Sequence, residues 1–139
     1  MPRLTSFLIT FWAGSLWTIC GVVAPSLFAV LDDRHTAGQL AAHFFQLEAF
    51  IGLAIGLLLL MLGRQPPRSL ATSRARVLIA ITAAMPLISQ VALNPFLDRA
   101  RAAGDMARFG MLHGAAAALF VIACISALLL LWQFNRPAE

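Results

Sequence analysis

The sequence predicts an all-α integral membrane protein, a bundle of four transmembrane helices. Three observations carry that prediction. Of its 139 residues, 60% are hydrophobic and only 12% charged, and the mean hydropathy is +0.84, well away from the balance of a water-soluble domain. Four apolar runs, at about 7–30, 44–63, 77–97 and 109–134, each match the roughly 20 residues needed to cross a hydrocarbon core. The segments between them are too short to bury a separate aqueous core, so one four-helix domain over 1–139 is expected.

The first run follows Arg3 and superficially resembles a secretion signal. It is longer than a signal's apolar region, so it reads as a retained helix. Cys20 within it is preceded by Trp17, Thr18 and Ile19, not by the small residues of a lipoprotein cysteine. Cys20 and Cys124 both fall within spans, where a buried cysteine serves as a small apolar filler.

The second run ends at Arg64-Gln65-Pro66-Pro67-Arg68, a stiff turn whose prolines stop the helix. With four spans, this turn and both termini share one side. That side carries Arg3, Arg64, Arg68, Arg74, Arg76 and Arg136, against Arg34, Arg99, Arg101 and Arg108 opposite. The positive-inside rule then puts both termini in the cytoplasm. The formal charge of +4 is ten arginines against six acidic residues; the arginines sit at helix ends and in loops, a membrane pattern and not a nucleic-acid footprint.

The two other connections resemble each other. Ala37-Gly38-Gln39-Leu40-Ala41 precedes Phe44 and Glu48, while Ala103-Gly104-Asp105-Met106-Ala107 precedes Phe109 and His113. If this marks a repeat, the protein is two parallel helical hairpins with Glu48 and His113 as counterparts. Two small-xxx-small pairs, Gly52 with Gly56 and Gly110 with Gly114, are the expected packing positions, because close backbone approach drives helix association in lipid.

Polar residues inside spans are the candidate site. An ionisable group there costs about 2.5 to 3.5 kcal/mol on insertion scales, so its presence implies a partner or a task. Glu48 and His113 fall at similar depth in these spans, Gln90 and Asn94 share one face of the third helix, and His43 lies near the interface. Three uses are open: hydrogen-bonded glue between helices, a metal or haem site with His113, Glu48 and His43 as ligands, or a proton or solute pathway. Asp32, Asp33 and His35 read as a solvated turn. No nucleophile elbow, Cys-x-x-Cys, phosphate loop or His-Glu-x-x-His is present, so no enzyme is expected.

Leu27-Phe28-Ala29-Val30-Leu31, Arg34-His35-Thr36-Ala37-Gly38, Asn94-Pro95-Phe96-Leu97 and Phe109-Gly110-Met111-Leu112-His113-Gly114 together resemble the bacterial domain-of-unknown-function membrane family related to transmembrane protein 205. That family is in turn similar to the copper-resistance-D group. The resemblance implies the four-helix fold and a bacterial cytoplasmic membrane, and it carries over His113, Gly114, Asn94 and Gly38. It does not carry over Glu48 or His43, and it implies no established reaction.

The expected function is a small, non-enzymatic membrane protein that binds or moves a metal ion or small solute at an outward-opening polar cluster. An accessory subunit of a larger membrane complex is the alternative, and an intramembrane haem or redox protein the third. No cofactor is specified. The bilayer is the first partner, with a second copy or a larger membrane protein as further ones, and no nucleic acid.

Overall fold

The computed structural model describes residues 2–63 and 72–135. Arg64, Arg68, Arg136 and the double-proline turn lie outside the described residues. Among the described residues, six α-helices form four rods: α1 (Pro2–Thr18) with α2 (Ala24–Val30), α3 (Arg34–Leu62), α4 (Ser73–Ile88) with α5 (Asn94–Ala102), and α6 (Met106–Phe134). All four rods are long and apolar enough to cross a membrane; the chain is a multi-pass membrane protein.

The rods are longer than the apolar runs because each helix continues through polar turns that carry its caps. The Asp33 carboxylate accepts from the backbone N–H of His35 and Thr36, Thr72 from that of Ala75, and Asp105 from that of Arg108. These bonds satisfy amides that a helix start leaves orphaned. Hydrogen bonds from Thr36 and the two amides hold the Asp33 carboxyl below its ordinary range. Between α5 and α6, Gly104 takes φ +69, a left-handed turn that favours glycine.

The first and third rods share one irregularity. Each contains a single widened, π-helical turn, Ile19–Val23 and Ser89–Leu93, followed at once by Ala24-Pro25 or Asn94-Pro95. The Ala24 N–H bonds to the Ile19 carbonyl and the Asn94 N–H to the Ser89 carbonyl. In a regular helix a proline ring clashes with the carbonyl four residues earlier. Inserting one residue into the turn moves that carbonyl aside, so the helix continues past the proline.

The core forms at the end of the molecule where the chain begins. Ile9, Trp12, Ala13 and Leu16 of α1 follow helical spacing and pack with Ile55 and Leu59 of α3, Leu78 and Ile79 of α4, and Ala123, Ala127 and Leu130 of α6. Gly52 and Gly56 make this contact close. A Cβ on Gly52 would stand 2.8 Å from Trp12 Nε1, and one on Gly56 would stand 3.0 Å from Ala83 Cβ.

Toward the Leu31–Asp33 and Ala103–Asp105 connections, hereafter the loop end, packing changes partners. The first hairpin (α1–α3) and the second (α4–α6) meet through α3 against α4 and α1 against α6, whereas α2 packs on α3 and α5 on α6. No residue of α2 is buried, and none of α6 before Phe120. The hairpins are therefore joined in their inner halves and part as a wedge toward the loop end.

Candidate functional site

Glu48 lies at the midpoint of the Arg34–Leu62 helix, about 21 Å from its start at 1.5 Å per residue. This corrects the shallow position expected from the apolar run, which omitted the polar first turns. Glu48 is 1% exposed. Its Oε1 lies 3.0 Å from the hydroxyl of Ser15 in α1, which also reaches the Trp12 carbonyl at 3.0 Å. Its Oε2 is buried and, among the described residues, has no hydrogen-bond partner. Neither does the buried Trp12 indole N–H, whose ring lies against the bare backbone of Gly52, one helical turn beyond Glu48.

An aromatic pair lies at the level of this carboxyl and just to its loop side. Phe45 precedes Glu48 by roughly one turn of α3, and its ring meets that of Phe120 with centroids 4.6 Å apart. Phe120 is the first buried residue of α6. This contact crosses between the hairpins and floors the wedge.

The other polar candidates are elsewhere. His113 is exposed on α6, stacked on Phe109, and lies only about 10 Å from its helix start. His43 is exposed, edge-on to Phe44. Asn94 donates its side-chain amide to the Gln90 carbonyl, so these two half-buried residues satisfy each other across the widened turn. Glu48, His43 and His113 thus do not form one ligand set, and among the described residues no three His, Cys, Asp or Glu side chains gather where they could hold a metal ion.

Registering the hairpins on their capping aspartates, Asp33 and Asp105, explains the mismatch. Ala37–Ala41 falls inside α3, whereas Ala103–Ala107 spans the turn and first residues of α6. The counterpart of Glu48 is then Phe120, not His113. The same shift puts Gly110 and Gly114 in open space, with nothing within 4 Å of a Cβ on either. Within the described residues these two glycines, expected as packing positions, meet no other helix.

Sequence reasoning missed the contacts of four residues. Ser15 carries no signal of its own in an apolar run, and Trp12 is recognisable as core but not as the neighbour of a carboxyl. Cys20 and Cys124, expected as separate fillers, lie with their sulfurs 3.6 Å apart.

A family model described as "Domain of unknown function (DUF4149)" matches residues 7–106. The chain belongs to the DUF4149 family. The match takes in Ser15, Glu48, His43, Gln90 and Asn94, while His113, Gly114, Phe120 and Cys124 lie beyond it. No curated protein and no solved structure matches the chain. A domain-of-unknown-function family was the expectation from sequence; none of these comparisons ties the chain to transmembrane protein 205 or to the copper-resistance-D group.

Proposed function

We propose that this DUF4149 protein is a non-enzymatic protein of the bacterial cytoplasmic membrane that binds, and lets pass, a metal ion or small solute at Glu48. One observation carries the reading. A carboxyl sits at mid-helix, 1% exposed, with one oxygen on Ser15 and the other unpartnered among the described residues. Keeping an ionisable group there is costly unless it is used. The wedge between the hairpins leads from the loop end toward it, and the Phe45–Phe120 pair closes the last step. This moves the site inward from the outer polar cluster while keeping its outward opening.

The groups joined by hydrogen bonds at this point are oxygens: the Glu48 carboxyl, the Ser15 hydroxyl and the Trp12 carbonyl. Such a set suits a hard cation or a proton better than a soft metal, which prefers sulfur. With both termini cytoplasmic, the wedge faces outward.

Carbodiimide labelling of Glu48 in proteoliposomes tests the reading. A hydrophobic carbodiimide should modify Glu48, identified by peptide mass, and a panel of alkali and alkaline-earth cations should include at least one that protects it in a concentration-dependent way. Glu48→Gln should abolish the label. Modification unaffected by any cation or by pH would count against binding, leaving the carboxyl as structural glue or the chain as an accessory subunit.

A further inference from the structure

Cys20 lies in the widened turn of the first rod and Cys124 on α6, 104 positions along the chain, yet their sulfurs are 3.6 Å apart. Both thiols are free. A small side-chain rotation would bring them to the bonding distance of about 2 Å. Cys124 is buried, whereas Cys20 is half-buried in the first rod. Beside it, Gly21 presents no side chain and has nothing within 4 Å of its Cβ position.

Trp17, about one turn before Cys20, exposes its ring on the same rod, and residues three apart are neighbours on a helix surface. Its indole N–H donates to the Cys124 carbonyl at 3.2 Å, so the ring is tied to the helix that carries the second thiol. A flat aromatic plate, a gap without a side chain and a half-buried sulfur thus adjoin one another within a rod apolar enough to cross a membrane.

We infer that Cys20 and Cys124 are a redox pair oxidised to a disulfide by a lipid-soluble two-electron acceptor of the quinone class, stacked on Trp17. Two S–H bonds break and one Sγ–Sγ bond forms. The two electrons and two protons released reduce the quinone's two carbonyl oxygens to the hydroquinone. The bond ties the first rod to the fourth, across the two hairpins. A lipid-soluble acceptor is favoured because both sulfurs lie within rods long and apolar enough to cross a membrane.

The test uses the full chain in lipid nanodiscs, reduced with a phosphine, freed of reductant, and mixed without oxygen with a short-chain ubiquinone analogue. The expected result is one hydroquinone per chain by ultraviolet absorbance, and a disulfide-linked peptide pair containing Cys20 and Cys124 under non-reducing digestion. Cys20→Ser should give neither product; should it fail to fold, Cys124→Ala provides the same block. Trp17→Ala should slow the reaction roughly tenfold, the rate equivalent of one good aromatic stacking contact. Two free thiols after quinone treatment would overturn the inference, even if a water-soluble oxidant closes the bond. Undiminished hydroquinone formation in the cysteine variant, or an unchanged rate in Trp17→Ala, would overturn it equally.

Discussion

The Ser15 hydroxyl lies 3.0 Å from Glu48 Oε1 and 3.0 Å from the Trp12 carbonyl, joining the middles of the first two rods. A hydroxyl has one proton and cannot donate to both acceptors. If Ser15 donates to Trp12, the Glu48 carboxyl must itself donate to Ser15. Replacing Ser15 by Ala therefore leaves a buried carboxyl with no partner and should lower stability by about 1 to 3 kcal/mol. A double-mutant cycle with Glu48→Gln, read from unfolding in detergent, should show a coupling of at least about 0.5 kcal/mol.

Glu48 and His113 should, by contrast, behave independently. His113 is exposed and stacked on Phe109, and Glu48 is held by Ser15. Losses from Glu48→Gln and His113→Ala should add to within about 0.5 kcal/mol. A larger coupling in the same unfolding assay would restore the contact that the sequence suggested.

The glycines divide by position in the wedge. Gly52→Ala drives a Cβ to within 2.8 Å of the fully buried Trp12 ring, and overpacking of this kind costs about 1 to 3 kcal/mol. A Cβ on Gly114 would meet nothing within 4 Å, so Gly114→Leu should change stability by no more than about 0.5 kcal/mol. Thermal unfolding of the two variants side by side checks the contrast.

Orientation is open to direct labelling. Single cysteines at position 69 and at Ala102, in a Cys20→Ser, Cys124→Ser background, should respond oppositely to an impermeant maleimide added to intact cells. Position 102 should label from outside and position 69 only after the membrane is broken, if the arginine asymmetry sets the topology.

How much of this was legible in sequence follows from what hydropathy measures. Lipid demands long apolar helices, so the four rods were readable, and Glu48 stood out as a charge within a span. Helix ends were not, because the first polar turns of α3 and α6 are held by Asp33 and Asp105 caps and not by apolarity. Missing those turns shifted Glu48 toward the surface and paired it with His113. The likeness of two Ala-rich connections then reinforced the wrong register. Gly52 and Gly110 begin identical small-xxx-small patterns, yet only Gly52 meets another rod; local spacing marks a smooth surface but not whether a helix arrives to cover it. Ser15 and the Cys20–Cys124 pair depend on contacts between rods that no local pattern encodes.

The claim on which the rest depends is that the space between the hairpins gives access to residue 48 from the loop end. Glu48→Cys, in a background lacking Cys20 and Cys124, can be treated with a small water-soluble methanethiosulfonate added to that side of oriented vesicles. Thiolates form in water and not in lipid, so reaction reports an aqueous path. The account predicts modification from the loop end that accelerates when Phe120→Ala removes half of the ring pair, with lipid-facing Ala54→Cys inert. An unreactive Glu48→Cys in both backgrounds, or one modified only from the opposite side, would contradict it.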